Sequence, residues 1–125
     1  MLIIKNIIKI LKKNNINFFT GVPDSVLKSL SLSLSKLSKK NHVITANEGG
    51  AVSLAAGYHL ASKKIPVVYF QNSGLGNAIN PLISIAHKEV YSIPLLLMIG
   101  WRGSPKSKDE PQHMAKGRIT PKLLK

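Results

Sequence analysis

The chain has 125 residues, with 18 Lys and Arg against 5 Asp and Glu, a formal net charge of +13 and no cysteine. That length suits one modest domain. The missing cysteines exclude disulfides and thiolate metal sites and are compatible with a reducing cytoplasm, and no apolar run approaches the roughly 20 residues of a membrane-spanning helix.

The basic balance raises nucleic acid or an anionic membrane as partners. The lysines are scattered, however, and no aromatic residues are interleaved with them as a base-stacking platform requires. They read as solvent-facing positions that still attract small anions. Neither nucleic acid nor membrane is expected as a partner. Residues 2–14 predict an amphipathic helix, with Ile3, Ile7 and Ile10 beside Ile4, Ile8 and Leu11 on a broad apolar face. Lys5, Lys9, Lys12 and Lys13 interrupt the isoleucines, unlike the continuous apolar core of a secretion signal, so a cytoplasmic location is expected.

Asn17–Thr20 predicts a short buried strand, and 21–25 a turn in which Asp24 or Ser25 caps a following helix. The alternating Ser and Leu of 29–35 has a strand period, yet Leu27, Leu30, Leu34 and Leu37 share one helix face. The helix is preferred because its pattern is longer and begins at a cap. His42–Thr45 is the second strand, and a helix rich in Ala and Gly follows from about Glu48 to Ser62. Pro66–Phe70 is the third strand, a continuous apolar run of the kind covered on both faces. Residues 71–77 predict a glycine loop, with Pro81 in the first turn of a helix reaching about His87. Pro94–Ile99 is the fourth strand. From Gly100 the chain predicts polar, irregular structure, with a helix beginning only near Thr120.

Strands alternating with helices at this spacing predict a three-layer α/β domain with a mostly parallel sheet. Such sheets bind ligands at the carboxyl ends of their strands. The segments 21–25, 46–50, 71–77 and 100–113 fall there, bringing Asp24, Glu48, Asn72, Asn77, Arg102, Asp109, Glu110, Gln112 and His113 to one rim. Glu48 stands out, because its flanks predict burial. Burial raises a carboxyl pKa and makes it a candidate proton donor or acceptor. The plainer alternative is a helix-start acid favoured by the dipole.

At these loops the sequence resembles a known family. Gly21-Val22-Pro23-Asp24-Ser25, Ala46-Asn47-Glu48-Gly49, Ala55-Ala56-Gly57-Tyr58-His59-Leu60, Gln71-Asn72-Ser73-Gly74-Leu75-Gly76-Asn77, Gly100-Trp101-Arg102-Gly103 and Lys108-Asp109-Glu110-Pro111-Gln112-His113 resemble phosphonopyruvate decarboxylase. That family uses thiamine diphosphate, and the likeness is to its N-terminal, pyrimidine-binding domain. Sulfopyruvate decarboxylase is similar in the 71–77 loop and in an Arg-Gly after the fourth strand, but is more acidic around Glu48. The resemblance therefore implies 3-phosphonopyruvate as substrate, with sulfopyruvate as the alternative and a catalytically silent assembly module as a third reading.

The family carries a second, diphosphate-binding domain that holds Mg²⁺ through a Gly-Asp-Gly motif and a later Asn, and nothing here matches it. The expectation is an incomplete pyrimidine domain over 1–125, needing a diphosphate-binding domain or subunit in a homo- or hetero-oligomer, and holding no metal itself. Glu48 occupies the position of the glutamate that hydrogen-bonds the cofactor's aminopyrimidine nitrogen and promotes formation of the C2 ylid. Asn72, Gly74, Gly76 and Asn77 would wall the cofactor pocket, the alternative being a tight turn. Asp24 matches an active-site aspartate of similar decarboxylases, the alternative being a helix cap. His113, beside Gln112, is expected as a substrate-facing group, the alternative being a solvated loop histidine. His42, His59 and His87 read as structural. Arg102 suits a phosphonate anchor, since its planar fork donates two parallel hydrogen bonds. Its rivals are Lys106, Lys108 and Arg118, and its plainer alternative is a surface pair with Asp109 or Glu110.

Overall fold

The computed structural model describes residues 2–105 and 107–125. Four strands, β1 (Phe19–Gly21), β2 (His42–Ile44), β3 (Val67–Gln71) and β4 (Leu96–Gly100), form a parallel sheet in the order β2-β1-β3-β4. Thr20 lies opposite both Val43 and Val68, and Val68 opposite Leu97. Because all four run the same way, their carboxyl ends make one rim. The expected α/β architecture is present, with β1 starting two residues later than the sequence suggested.

Helices cover both faces. On one side α1 (Leu2–Lys13) and α2 (Lys28–Leu34) bury Leu11, Leu30 and Leu34 against Phe19, Val67 and Tyr69. On the other, Ala51, Val52 and Ala55 of α3 (Glu48–Ser62) and Leu75 and Ala78 of α4 (Leu75–Pro81) pack on Val68 and Phe70. This explains the unbroken apolar run of β3: alternate residues feed opposite layers, and both layers are covered. The apolar face of α1 is narrower than expected. Ile4, Ile7, Ile8 and Leu11 pack inward, whereas Ile3 and Ile10 are exposed. The Ser-Leu segment is helical as its longer pattern suggested, and Leu32, off the common face, is 54% exposed. Its helix stops at Leu34, and Leu37 packs on the same cluster from beyond the end.

Two expectations fail, both involving proline. The 71–77 segment is not a loop: it is a 3₁₀ turn, Asn72–Gly74, leading directly into α4. Pro81 therefore ends α4 rather than starting a helix. Its missing N–H leaves the Asn77 carbonyl without a helical donor. Immediately beyond it, Leu82–Ala86 adopts the wider π-helical spacing. Burial of Leu75 and Ala78 against α3 overrides the loop composition.

The second failure is α5 (Pro111–Leu123), which occupies a segment expected to be irregular, so Gln112 and His113 sit in its first turn rather than in a loop. Pro111 lies at the helix start, where its missing N–H costs nothing. Pro121 has no N–H for the carbonyl of Gly117, and the Trp101 indole donates to that carbonyl instead, Nε1 to O 3.0 Å. Gly117 is glycine because a Cβ there would overlap the backbone of Gly103, whose φ is +64°. No helix among the described residues is long and apolar enough to cross a membrane.

Candidate active site

Glu48 is placed by the end of β2 and the cap of α3. Asn47 is extended, and its Oδ1 accepts from Gly50 N at 2.8 Å, so the next side chain projects from the first helical turn at the rim. Glu48 is half-buried, less enclosed than its flanks suggested, because this rim is open in the single chain. Asn77 Nδ2 donates to its Oε2 at 2.8 Å. Oε1 takes no hydrogen bond among the described residues and lies over Gly74, where an added Cβ would overlap Oε1, Cγ and Cδ. Gly74 has φ −79° and ψ −6°, a conformation open to any residue. What requires glycine is the room taken by the Glu48 side chain. A Cβ at Gly49 would fall 2.7 Å from the Asn77 carbonyl, so α3 and α4 also meet closely here. Gly76 is exposed, and a Cβ on it would meet open space.

Asn72 plays a different part from the one expected. It is buried, and its amide is spent within the chain: Nδ2 donates to Arg102 O (3.0 Å) and Thr120 Oγ1 (2.9 Å), while Oδ1 accepts from Arg102 N (3.1 Å). Its side chain is thus a strut between the end of β3, the segment after β4 and α5.

Arg102 leaves β4 and pairs with Asp109. Nε and Nη2 donate to the two carboxylate oxygens, both at 2.6 Å, and Nη1 points to Ser25 Oγ at 3.3 Å. This is the plainer alternative considered for Arg102, in its strongest, two-pronged form. The guanidinium holds the Asp109 carboxyl far below the usual carboxylate range, helped by the amides of Glu110 and Gly103. The same hydrogen bonds raise the Arg102 pKa. Asp24 does not cap α2, which starts at Lys28 with Leu27 as its N-cap and no side-chain cap bond. It braces the preceding turn, its Oδ2 accepting from Val26 N (3.0 Å) and Leu27 N (3.2 Å), and rests against Gly100, where a Cβ would displace it. Asp24 and Ser25 also line an open hollow of about 500 Å³ with Lys28 and Ser31.

His113 is half-buried with an unpartnered Nδ1, and no hydrogen bond among the described residues joins it to Asp24 or Glu48. Gln112, Lys108 and Arg118 are exposed, and Lys106 lies outside the described residues. His42 hydrogen-bonds the buried Tyr69 hydroxyl at 2.8 Å and lies away from the rim cluster. The structure therefore gathers two groups at the rim, Glu48–Gly74–Asn77 and Asp24–Ser25–Arg102–Asp109. Ser25 was legible only as a cap, because its approach to Arg102 spans 77 positions of sequence.

A carboxylate with one oxygen tethered and one free, at a helix start, suits a partner that shares a proton with it, such as a ring nitrogen. Among the described residues no group of three or more His, Asp or Glu side chains is placed to hold a metal ion. Fold and rim together define a parallel α/β domain with a candidate ligand site at the carboxyl ends of its strands. Residues 2–122 match the model of the thiamine pyrophosphate enzyme N-terminal TPP-binding domain, and the chain belongs to that family.

Among its relatives, phosphonopyruvate decarboxylase of Streptomyces viridochromogenes is 41% identical over 83% of this chain and 25% of its own length. Sulfopyruvate decarboxylase subunit alpha of Methanocaldococcus jannaschii is 36% identical over 91% of this chain and 65% of its own length. The solved benzoylformate decarboxylase of Polynucleobacter necessarius superposes on 82% of the chain with a TM-score of 0.68 at 25% identity, covering 19% of that chain. The chain thus spans a quarter of the phosphonopyruvate enzyme and just under two thirds of the alpha subunit.

Proposed function

We propose that this chain supplies the pyrimidine-recognising part of a thiamine-diphosphate-dependent decarboxylase that converts 3-phosphonopyruvate to phosphonoacetaldehyde and carbon dioxide. The observation that carries the reading is the Glu48 carboxylate, tethered through Oε2 by Asn77, seated on Gly74 and open at Oε1. Bound thiamine diphosphate supplies the carbanion chemistry of decarboxylation. The chain's part is to hold, at Glu48 Oε1, the proton shared with the aminopyrimidine ring. Asn77 keeps that oxygen aimed outward. The diphosphate and its Mg²⁺ belong to a diphosphate-binding domain or subunit, which closes the open rim in a cytoplasmic oligomer. Arg102 anchors the phosphonate, with Asp24 and His113 lining the substrate side. The higher identity to the phosphonopyruvate enzymes supports that substrate over sulfopyruvate.

The test is made on the enzyme assembled with its diphosphate-binding part. Release of carbon dioxide is followed from phosphonopyruvate and from sulfopyruvate, together with hydrogen–deuterium exchange at C2 of the bound cofactor. Glu48→Gln keeps the shape and should slow exchange by ~10²–10⁴-fold. Preference for sulfopyruvate would move the substrate assignment to the sulfonate. No turnover of either, with exchange unchanged in Glu48→Gln, would leave an assembly module.

A further inference from the structure

Arg102 is held twice, by different parts of the residue. Its main chain is clamped by Asn72, which accepts from its N–H at 3.1 Å and donates to its carbonyl at 3.0 Å. Its side chain is held by Asp109 at two points, Nε and Nη2, each at 2.6 Å. The Asp109 carboxylate is itself braced, Oδ1 by Glu110 N (2.9 Å) and Oδ2 by Gly103 N (3.2 Å). A guanidinium has five N–H donors in a rigid fork. Asp109 takes two and Ser25 Oγ takes one from Nη1 at 3.3 Å. One N–H on each terminal nitrogen is left without an acceptor among the described residues.

We propose that Asp109 is a positioning residue for substrate selection: it fixes the Arg102 fork so that the two remaining N–H groups form a seat for the strong-acid anion of the substrate. The inference rests on the reading of Arg102 as the anchor. Arginine side chains lose much rotamer freedom on being fixed. Asp109 imposes that loss before substrate arrives, so an incoming phosphonate meets a preset fork. Asp109 also balances the arginine charge, and Asp24 and Glu110 stand near enough to act on the guanidinium. The seat then recognises its anion through directed hydrogen bonds rather than through net charge, and an uncharged tail gains nothing from it.

A purely structural ion pair makes a different forecast. The backbone at 101–103 has ties besides the Gly103 N–H that Asp109 accepts: Asn72 on Arg102, the Trp101 indole on Gly117 and the close fit of Gly103 to Gly117. Removing the Asp109 charge releases the arginine side chain and leaves its backbone in place.

The experiment compares Asp109→Asn and Asp109→Glu in the assembled enzyme, with methylphosphonate as a competitive probe. Asp109→Asn should raise KM for phosphonopyruvate and Ki for methylphosphonate by about 10-fold or more, with kcat little changed and plain pyruvate unaffected. Asp109→Glu, which restores the charge, should recover part of the loss. Equal loss for pyruvate and phosphonopyruvate, or no change for either, would overturn the proposal. Should the wild-type enzyme turn over neither anionic substrate, the functional reading fails and the seat is judged separately, from methylphosphonate titrated into the 125-residue chain while the Arg102 Nε–H resonance is followed. Binding weakened by Asp109→Asn supports the seat; no binding to the wild type overturns it.

Discussion

Gly74→Ala separates the fold from the chemistry at the rim. The backbone at Gly74 is ordinary, with φ −79° and ψ −6°, so alanine meets no conformational penalty. Its methyl group would instead overlap Oε1, Cγ and Cδ of Glu48. Restoring a normal carbon contact of about 3.5–4.0 Å displaces the carboxylate by more than ~1 Å. The Asn77 Nδ2–Oε2 bond, 2.8 Å long, cannot survive that movement. Losing a charged hydrogen bond on a half-exposed side chain costs about 1 kcal/mol. Replacing glycine where alanine fits the backbone returns about 0.4–1 kcal/mol through the unfolded state. The net change in stability should therefore lie within about 1 kcal/mol, a Tm shift of no more than ~5 °C. C2 exchange of bound cofactor in the assembled enzyme should nevertheless fall by ~10²-fold or more, approaching Glu48→Gln. Calorimetry on the chain and exchange on the assembled enzyme read the two effects apart. Wild-type exchange in Gly74→Ala, or a collapse of Tm with it, would refute the reasoning that Gly74 exists to seat Glu48.

Two further outcomes are expected. Gly117→Ala should destabilise the chain by about 3 kcal/mol despite alanine's helix propensity of ~1 kcal/mol, because the added Cβ meets the rigid backbone of Gly103 and lifts α5 off Trp101 and Asn72; a Tm equal to or above wild type would show that α5 docks elsewhere. Burial holds the His42 imidazole below its ordinary value of 6.5, the Leu34 backbone offsetting part of this. The unfolded state therefore binds more protons, and stability present above about pH 6.5 is lost as the pH falls through that window. Urea midpoints at about pH 7.5 and 5.5 should differ in wild type and differ less in His42→Asn; equal slopes would remove His42 as the cause.

Local pattern determined most of this protein. The continuous apolar run of β3 announced a sheet covered on both sides, the alternation of strand and helix announced parallel strands, and parallel strands put 21–25, 46–50, 71–77 and the exit of β4 on one rim. The spacing of Leu27, Leu30, Leu34 and Leu37 was enough to choose helix over strand, since a helix face reads directly from intervals of three and four. Glu48 was legible as a candidate because acids are scarce in so basic a chain and this one ends an apolar strand, and Arg102 because it follows the fourth strand on the same rim.

What only the tertiary structure decided concerns partners distant in sequence. Asn72 looked like part of a cofactor loop and is a buried strut, because its amide finds Arg102 and Thr120, 30 and 48 positions away. Gly117 looked like part of an irregular segment and Pro121 like the first turn of a helix beginning near Thr120, yet one helix, α5, runs through both. The missing side chain of Gly117 admits the Gly103 backbone, and the carbonyl that Pro121 cannot serve is taken by Trp101. Gly74 is glycine for a similar reason, to make room for the Glu48 carboxylate from another element. Propensity records the local cost of glycine and proline, and only packing reveals the distant group that compensates for it.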